Sequence, residues 1–291
     1  MIKRQAGWPR CVAAVALAAG TLGGAARADD GLAKDDPNAW PMYSRGYDNT
    51  RYSPLKQINP GNVGNLKLAF SFQLGSLRSN EASPIVIGDT MYVSTSWGPK
   101  YVYALDARTG ARKWTYEPEI PDDTLQYACC DVNSRGVTFA DGKIFVGRLD
   151  GKLSAVDAAT GKELWTTTVV DYKQGSVITS PPLVVKNMVI TGFGGGEYGA
   201  RGSLQAYDVN TGKQVWKTWT VPAPGEANAD SWKGDSWQHG GGPTWMTGSY
   251  DPDSDTLYWT TGNPGPLFDA DVRAGDNLFT PYLILLLRSV P

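Results

Sequence analysis

The chain is poor in the residues that most catalytic chemistry needs. It has one histidine, His239, and three cysteines in 291 residues. A lone imidazole with no cysteine or histidine nearby builds neither a zinc-type ligand set nor a Ser/His/Asp triad, so His239 reads as a loop residue. No C-x-x-C-H occurs, so this chain shows no haem attachment. Charge of one sign is also lacking: 27 Lys+Arg stand against 29 Asp+Glu, a formal net charge of -2. That excludes nucleic-acid binding by bulk electrostatics. Long hydrophobic runs are missing as well. The apolar stretch Cys11–Leu22 is too short to span a bilayer. With Lys3, Arg4 and Arg10 before it and Ala26-Arg27-Ala28 after it, the stretch reads as a secretory signal peptide, cut after Ala28. The expectation is a mature protein outside the cytoplasm with no membrane span. It keeps two adjacent cysteines, Cys129 and Cys130, and an oxidising compartment favours a disulfide between them.

What the chain has in quantity is turn and strand material. There are 34 Gly, 19 Pro, 11 Trp and 14 Tyr, a mixture that suits short strands and tight turns. Three segments match one another: Tyr101–Trp114 (YVYALDARTGARKW), Gly151–Trp165 (GKLSAVDAATGKELW) and Gly202–Trp216 (GSLQAYDVNTGKQVW). Each contains A-x-D-x-x-T-G-x-x-x-W, and both the aspartates (Asp106, Asp157, Asp208) and the tryptophans (Trp114, Trp165, Trp216) recur every 51 residues. Chance does not produce three such matches at one period. Each segment reads as a strand ending at Asp, a tight turn, and a second strand carrying Trp. An earlier hairpin precedes each one, at 83–94, 137–147 and 180–192. Two hairpins per repeat make a four-stranded antiparallel blade, and blades around an axis make a β-propeller. The Trp is expected to pack between neighbouring blades. A fourth first hairpin lies at 244–262, but no D-x-x-T-G and no closing Trp follow it. The expected pattern is therefore three complete blades, part of a fourth, and an aberrant tail over 281–291.

The repeat also indicates where a site belongs. The start of each blade's first strand and the end of its second lie at the same end of the axis. That end collects Glu81, Arg135, Thr179 and Trp245 on one side of the hairpins. From the other side come Trp97, Arg148, the run Gly194-Gly195-Gly196-Glu197, and Asn263. A separate loop brings Cys129-Cys130. Channel mouths of this kind are common ligand sites. Glu197 and Asn263 are hard oxygen donors suited to a cation such as Ca²⁺. Arg135 and Arg148 suit ligand carboxylates, although either can equally be structural; Arg135 is placed in the site and Arg148 is left open. The glycines let backbone approach a ligand closely, and Trp245 offers a stacking face.

With these residues in view, the chain resembles the pyrroloquinoline quinone (PQQ)-dependent alcohol dehydrogenases, which include the methanol dehydrogenases. The likeness runs from Trp40–Gly75 to Gly275–Thr280. Its most specific pieces are ACCDVNSRG (Ala128–Gly136), GGGEYGARG (Gly194–Gly202), GGPTWMTGSYDP (Gly241–Pro252) and YWTTGNPGP (Tyr258–Pro266). The resemblance implies an all-β, eight-bladed propeller of the quinoprotein type with only about half of its blades present. In these terms residues 1–28 are the signal peptide and 29–280 a partial PQQ-binding propeller. The resemblance further implies that Cys129 and Cys130 form a vicinal disulfide above the quinone and that Trp245 stacks below it. Glu81, Arg135, Thr179, Gly195 and Gly196 would surround it, and Glu197 and Asn263 would ligate Ca²⁺ or a lanthanide. The implied activity is oxidation of a small primary alcohol in the periplasm, by hydride transfer to the quinone, with electrons passed to a c-type cytochrome. The family's catalytic aspartate lies beyond GDNLFT, in a stretch without a counterpart here, so no catalytic base is assigned to Asp269, Asp271 or Asp276. The alternative is a non-enzymatic propeller, a binding scaffold or an inactive relic. The blade repeat suits both; the set Cys129, Cys130, Glu197, Asn263 and Trp245 favours the enzyme lineage. Whether the chain forms a homodimer is left open by the residues.

Overall fold

Among the described residues, alternating apolar residues between Gly- and Asp-rich turns form fifteen strands in four antiparallel sheets. The computed structural model describes residues 36–97, 101–129 and 131–287; the expected leader and Cys130 lie outside them. The first sheet runs β1 (Ile85–Ile87), β2 (Thr90–Ser94), β3 (Val102–Asp106) and β4 (Arg112–Tyr116) in that order. The second is β5 (Thr138–Ala140), β6 (Lys143–Gly147), β7 (Lys152–Asp157) and β8 (Glu163–Thr168). The third is β9 (Leu183–Val185), β10 (Met188–Thr191), β11 (Ser203–Asp208) and β12 (Gln214–Trp219). These are the three blades expected from the repeat. The inner strands β9 and β10 are buried throughout, whereas the outer strands β8 and β12 alternate exposed with half-buried residues. Burial on both faces explains why the inner strands read as unbroken apolar runs, and one wet face explains the alternation outside.

The fourth sheet contains β13 (Ser249–Asp251), β14 (Thr256–Thr260) and β15 (Leu283–Leu287). The third of these corrects the expectation that the tail stands apart from the blades. Leu283 and Leu285 are opposite Thr260 and Tyr258, and Leu286 packs on the core beside Trp259. Strand addition needs only free backbone groups and a side chain for the core, so no turn motif was required.

The repeat motif works as a joint between sheets. In each turn the Asp carboxylate caps the backbone: Asp157 accepts from Thr160 N at 2.8 Å and from its hydroxyl at 2.7 Å. Asp106 and Asp208 do the same with Thr109 and Thr211 at 2.9 Å. The glycine that follows, Gly161, has φ +76°, and a Cβ there would come within 2.8 Å of the Trp114 ring of the preceding sheet. Both demands exclude a side chain. Trp114 Nε1 donates to the Ala158 carbonyl at 3.0 Å, and Trp165 Nε1 to the Val209 carbonyl at 3.1 Å. Trp114 and Trp165 therefore each dock on the residue after the next sheet's Asp. Within its own sheet each Trp faces the motif's alanine, in the pairs Ala104–Trp114, Ala155–Trp165 and Ala206–Trp216. The register shifts by one residue beside each pair, leaving Lys113, Leu164 and Val215 unopposed. This bulge redirects the indole towards the neighbouring sheet.

A segment before the first sheet ties the inner strands together. Trp40 exchanges backbone hydrogen bonds with Val86 at 2.7 and 3.0 Å, and Phe139 N donates to Pro41 O at 2.8 Å. Tyr47 Oη donates to the Val184 carbonyl at 2.7 Å, and its ring meets Tyr250 edge-on at 5.2 Å. Residues 40–47 thus cross β1, β5 and β9 and reach the fourth sheet.

The turn hydrogen bonds hold the Asp106 and Asp157 carboxyls below the ordinary value of 3.8, in both cases through Thr at the third position. At Asp208 partial burial opposes this, but the Thr211 and Asn210 bonds outweigh it. A carboxyl that is more acidic folded than unfolded stabilises the fold fully above about pH 4 and loses that contribution as the pH falls through its folded value. Thermal unfolding followed from pH 6 to pH 2.5 is therefore expected to show a falling midpoint, with a shallower fall in Asp157→Asn. An unchanged slope in the variant would refute this role for the turns.

Candidate functional site

Three segments that lead into inner strands are laced together at one end of the sheets. Ser83, before β1, and Gly136, before β5, form a parallel bridge, and Ser83 N donates to Arg135 O at 3.2 Å. Arg135 N in turn donates to Thr179 O, before β9, at 2.9 Å. The side chains follow the backbone. Arg135 Nη2 lies 2.9 Å from Glu81 Oε2, and Arg135 Nη1 donates to Thr179 Oγ1 at 2.8 Å. The same guanidinium sits 5.0 Å from the centre of the Trp245 ring. Each repeat thus contributes one polar group, and the shared strand geometry makes the groups converge.

A cavity of about 160 Å³ opens beside this group, lined by Cys129, Asn133, Arg135, Thr179, Gly195 and Trp245 among others. A second space of about 100 Å³ adjoins it, lined by Gly196, Glu197, Pro243, Trp245, Asn263 and Pro264. Glu197 and Trp245 line both spaces. Cys129, Arg135, Thr179, Gly195, Gly196, Glu197, Trp245 and Asn263 therefore line one of the two cavities and Glu81 holds Arg135, whereas Trp97 packs against Val132, Leu149 and Val177 and lines neither. Cys129 is disulfide-bonded, and its partner lies outside the described residues. Trp245 is 39% exposed.

The donors suit a hard cation completed by a ligand. Glu197 and Asn263 supply oxygens only, and no group of three His, Cys, Asp or Glu gathers among the described residues. A Ca²⁺-like ion takes six to eight oxygens, so most of its shell would have to come from a bound molecule. The glycine run divides its work. A Cβ on Gly195 (φ +112°) would come within 2.2 Å of Gly175 O, and one on Gly196 within 2.7 Å of Pro243. Those two glycines let the loop pack. Gly194 is different, because a Cβ there meets nothing closer than 3.8 Å, so its bareness serves the cavity. Arg148, left open by the sequence, is structural: it is buried, binds Asp150 at 2.7 and 3.0 Å and the Glu119 carbonyl at 2.7 Å, and lines neither cavity. Asp269, Asp271 and Asp276 are exposed and line neither cavity.

Residues 40–286 match the family described as "PQQ: Glucose/ethanol/alcohol dehydrogenase, beta-propeller domain". The chain belongs to this family. It is 44% identical to a lanthanide-dependent methanol dehydrogenase of Methylacidiphilum fumariolicum, over 87% of this chain and 45% of that protein. It is 43% identical to a quinohemoprotein alcohol dehydrogenase of Comamonas testosteroni, over 85% of this chain and 37% of that protein. Among solved structures it superposes on a europium-containing methanol dehydrogenase with TM-score 0.81 and 42% identity, covering 87% of this chain and 47% of that one. The chain thus spans about half the length of the relatives it matches. The all-β propeller of the PQQ family, with about half of its blades, is the architecture of this chain.

Sequence reasoning missed one part of this PQQ-family site. Arg78 binds Asp131 at 2.5 Å, and Ser79 Oγ donates to Asn133 Oδ1 at 2.9 Å. Together with Glu81–Arg135 these contacts fasten residues 78–83 along the cysteine loop. The Arg78 hydrogen bond, above all, keeps the Asp131 carboxyl more acidic than usual. Asp131 and Asn133 belong to ACCDVNSRG, so the motif was visible, but nothing in the spacing pointed to residues 78 and 79.

The glycine geometry separates packing from ligand space. Gly195→Ala is expected to cost more than about 2 kcal/mol, since a non-Gly residue in that conformation is strained and its Cβ meets backbone. Gly194→Ala is expected to unfold within about 0.5 kcal/mol of the parent, as surface changes away from special features do. Urea titration of both variants checks this. Equal losses would remove the distinction.

Proposed function

We propose that this chain binds PQQ together with a hard cation, Ca²⁺ or a lanthanide, in the paired cavities, and that it serves alcohol oxidation in the periplasm. The observation that carries the reading is the convergence of Glu81, Arg135, Thr179, Trp245, Glu197 and Cys129 on one axial end, each from a different repeat or loop. A flat tricarboxylate needs cationic and hydroxyl donors at its rim, a face to stack on and a cation at one edge, and this end offers all three. Arg135, already oriented by Glu81 and Thr179, presents its guanidinium to ligand carboxylates at little further entropic cost. Trp245 supplies the stacking face. Glu197 and Asn263 hold the cation from one side and leave its remaining positions to the ligand. A bridge between Cys129 and Cys130, as the family resemblance implies, would give a stiff cover over the ligand. When bound with its cation as Lewis acid, the quinone supplies a hydride acceptor for the alcohol.

Other parts of the reading rest on the sequence and on relatives. The leader pattern over 1–28 supports export. The methanol and alcohol dehydrogenase names of the relatives support a small primary alcohol as substrate. The quinohemoprotein name of one relative supports haem-borne electron acceptance, which a separate c-type cytochrome would provide here. No described carboxylate lining the cavities is free for the role of base, and we assign none.

The test is binding of PQQ to the purified chain, followed by quenching of tryptophan fluorescence with Ca²⁺ or La³⁺ present. Saturable, metal-dependent binding is expected. Arg135→Ala should weaken it by about 10- to 100-fold, the worth of a charged hydrogen bond. Trp245→Ala should weaken it by about tenfold, as loss of aromatic stacking does. Glu197→Gln should remove most of the metal dependence. Failure of the parent chain to bind PQQ with either cation would overturn the proposal in favour of a non-enzymatic propeller.

A further inference from the structure

Glu197 and Asn263 sit on separate loops, and residues 240–244 run between those loops. On one side Gly241 N donates to Ala200 O at 3.1 Å, Gly202 N to Gly241 O at 2.8 Å, and Thr244 N to Phe193 O at 3.1 Å. On the other side Gly242 N donates to Asn263 O at 2.9 Å, Gly262 N to Pro243 O at 2.7 Å, and Gly265 N to Gly240 O at 2.9 Å. Gly241 forms bridges in both directions, parallel to Arg201 and antiparallel to Pro264. Residues 240–244 are thus a strap hydrogen-bonded along both edges. Thr220 Oγ1 anchors it further by donating to Gly242 O at 2.7 Å.

Pro243 meets both loops through its ring. A Cβ on Gly196 would fall 2.7 Å from Pro243 Cδ, and one on Gly262 would fall 2.8 Å from Pro243 Cγ. Gly196 immediately precedes Glu197, and Gly262 immediately precedes Asn263. The ring therefore lies against the residue before each donor. Neither glycine has a positive φ, so the closeness of the ring, and not the backbone conformation, is what demands a bare residue. Gly196 and Pro243 are buried, whereas Glu197 and Asn263 are exposed. Gly196, Glu197, Pro243 and Asn263 line one cavity. A proline ring cannot swing aside by side-chain rotation, and a packed interior yields little. Two exposed oxygen donors are thus backed by one stiff block.

We propose that the Pro243 ring is the spacer that sets how far apart Glu197 and Asn263 stand, and with that the ionic radius the site prefers. The inference rests on the reading that these two residues hold a hard cation beside PQQ. Choice among hard cations follows the size and stiffness of the cage as well as its ligands. The trivalent lanthanides share their charge and their preference for oxygen, and they shrink steadily from La³⁺ to Lu³⁺. Radius is therefore the property that a spacer can discriminate. Pro243 is a positioning residue: its carbonyl accepts from Gly262 N, and its ring acts on the cation only through Gly196 and Gly262.

The test is PQQ binding by the purified chain with La³⁺ and with Lu³⁺, read as the ratio of the two affinities. Pro243→Ala removes the ring and lets the loops close. The ratio is expected to move towards Lu³⁺ by about threefold or more, the lower range of coupling between touching residues. Gly262→Ala adds a methyl against the ring and pushes the Asn263 loop away, so the ratio should move towards La³⁺ by a similar factor. In the double variant the methyl enters the space that the ring has left, and the ratio should return to within about twofold of the parent's. A ring that only packs would lower both affinities alike, and an unmoved ratio overturns the proposal. Shifts in one direction for both single variants, or a double variant that stays displaced, overturn it as well. Circular dichroism checks each fold; where Pro243→Ala loses it, Gly262→Ala decides alone by the same ratio. A parent that binds PQQ with neither cation removes the cofactor reading and this inference with it. A parent that binds, with variants of unchanged ratio, removes this inference alone.

Discussion

The structure depends on the contact between the tryptophan of one sheet and the turn of the next. The indole nitrogen donates to the carbonyl just after the following sheet's Asp, and the ring lies on that turn's bare glycine. Neither partner works alone. The turn must be held by its Asp–Thr bonds before the carbonyl and glycine are presented, and the Trp must be swung out by the bulge opposite the motif's alanine. A hydrogen bond whose loss would strand a partly buried donor, combined with burial of a large ring, makes each joint directional. Sheet order and spacing follow from it, which explains why the motif repeats without change of length.

The placement of the site is a consequence of that spacing. Because the segments leading into the first strands are hydrogen-bonded side by side, residues one step before those strands arrive together. Glu81, Arg135 and Thr179 are separated widely in sequence, yet they form one hydrogen-bonded chain. Residues 40–47 add a second restraint, crossing the inner strands and fixing their mutual height. A rigid end with polar groups already paired to one another loses little freedom when a planar anion arrives. Stability and recognition therefore share the same lacing, and Arg135 belongs to both.

Much of this was legible before any fold was known, because repetition carries its own register. The A-x-D-x-x-T-G-x-x-x-W segments located six strands, three turns and the interblade role of Trp114 and Trp165. Aligning them located Arg135, Thr179 and Trp245. Other features escaped for identifiable reasons. β15 has no motif, since an edge strand needs only backbone and one core-facing leucine. Arg148 was open between ligand group and packing element, and its burial against Asp150 decides for packing. Gly195 and Gly196 line the cavities, but why they must be glycine was not legible: backbone and Pro243 occupy the space that their side chains would need.

The sequence by itself determined the repeat, the all-β architecture and the set of chemical groups at the axis, because period, turn chemistry and residue type are local properties. Only the tertiary structure decided which of those groups touch. The Arg78–Asp131 pair, the hydrogen bond from Arg135 to Thr179, and the contact of Pro243 with Gly196 and Gly262 all join residues from different sheets or segments. Such contacts depend on how one sheet leans on the next, an angle that no single repeat encodes.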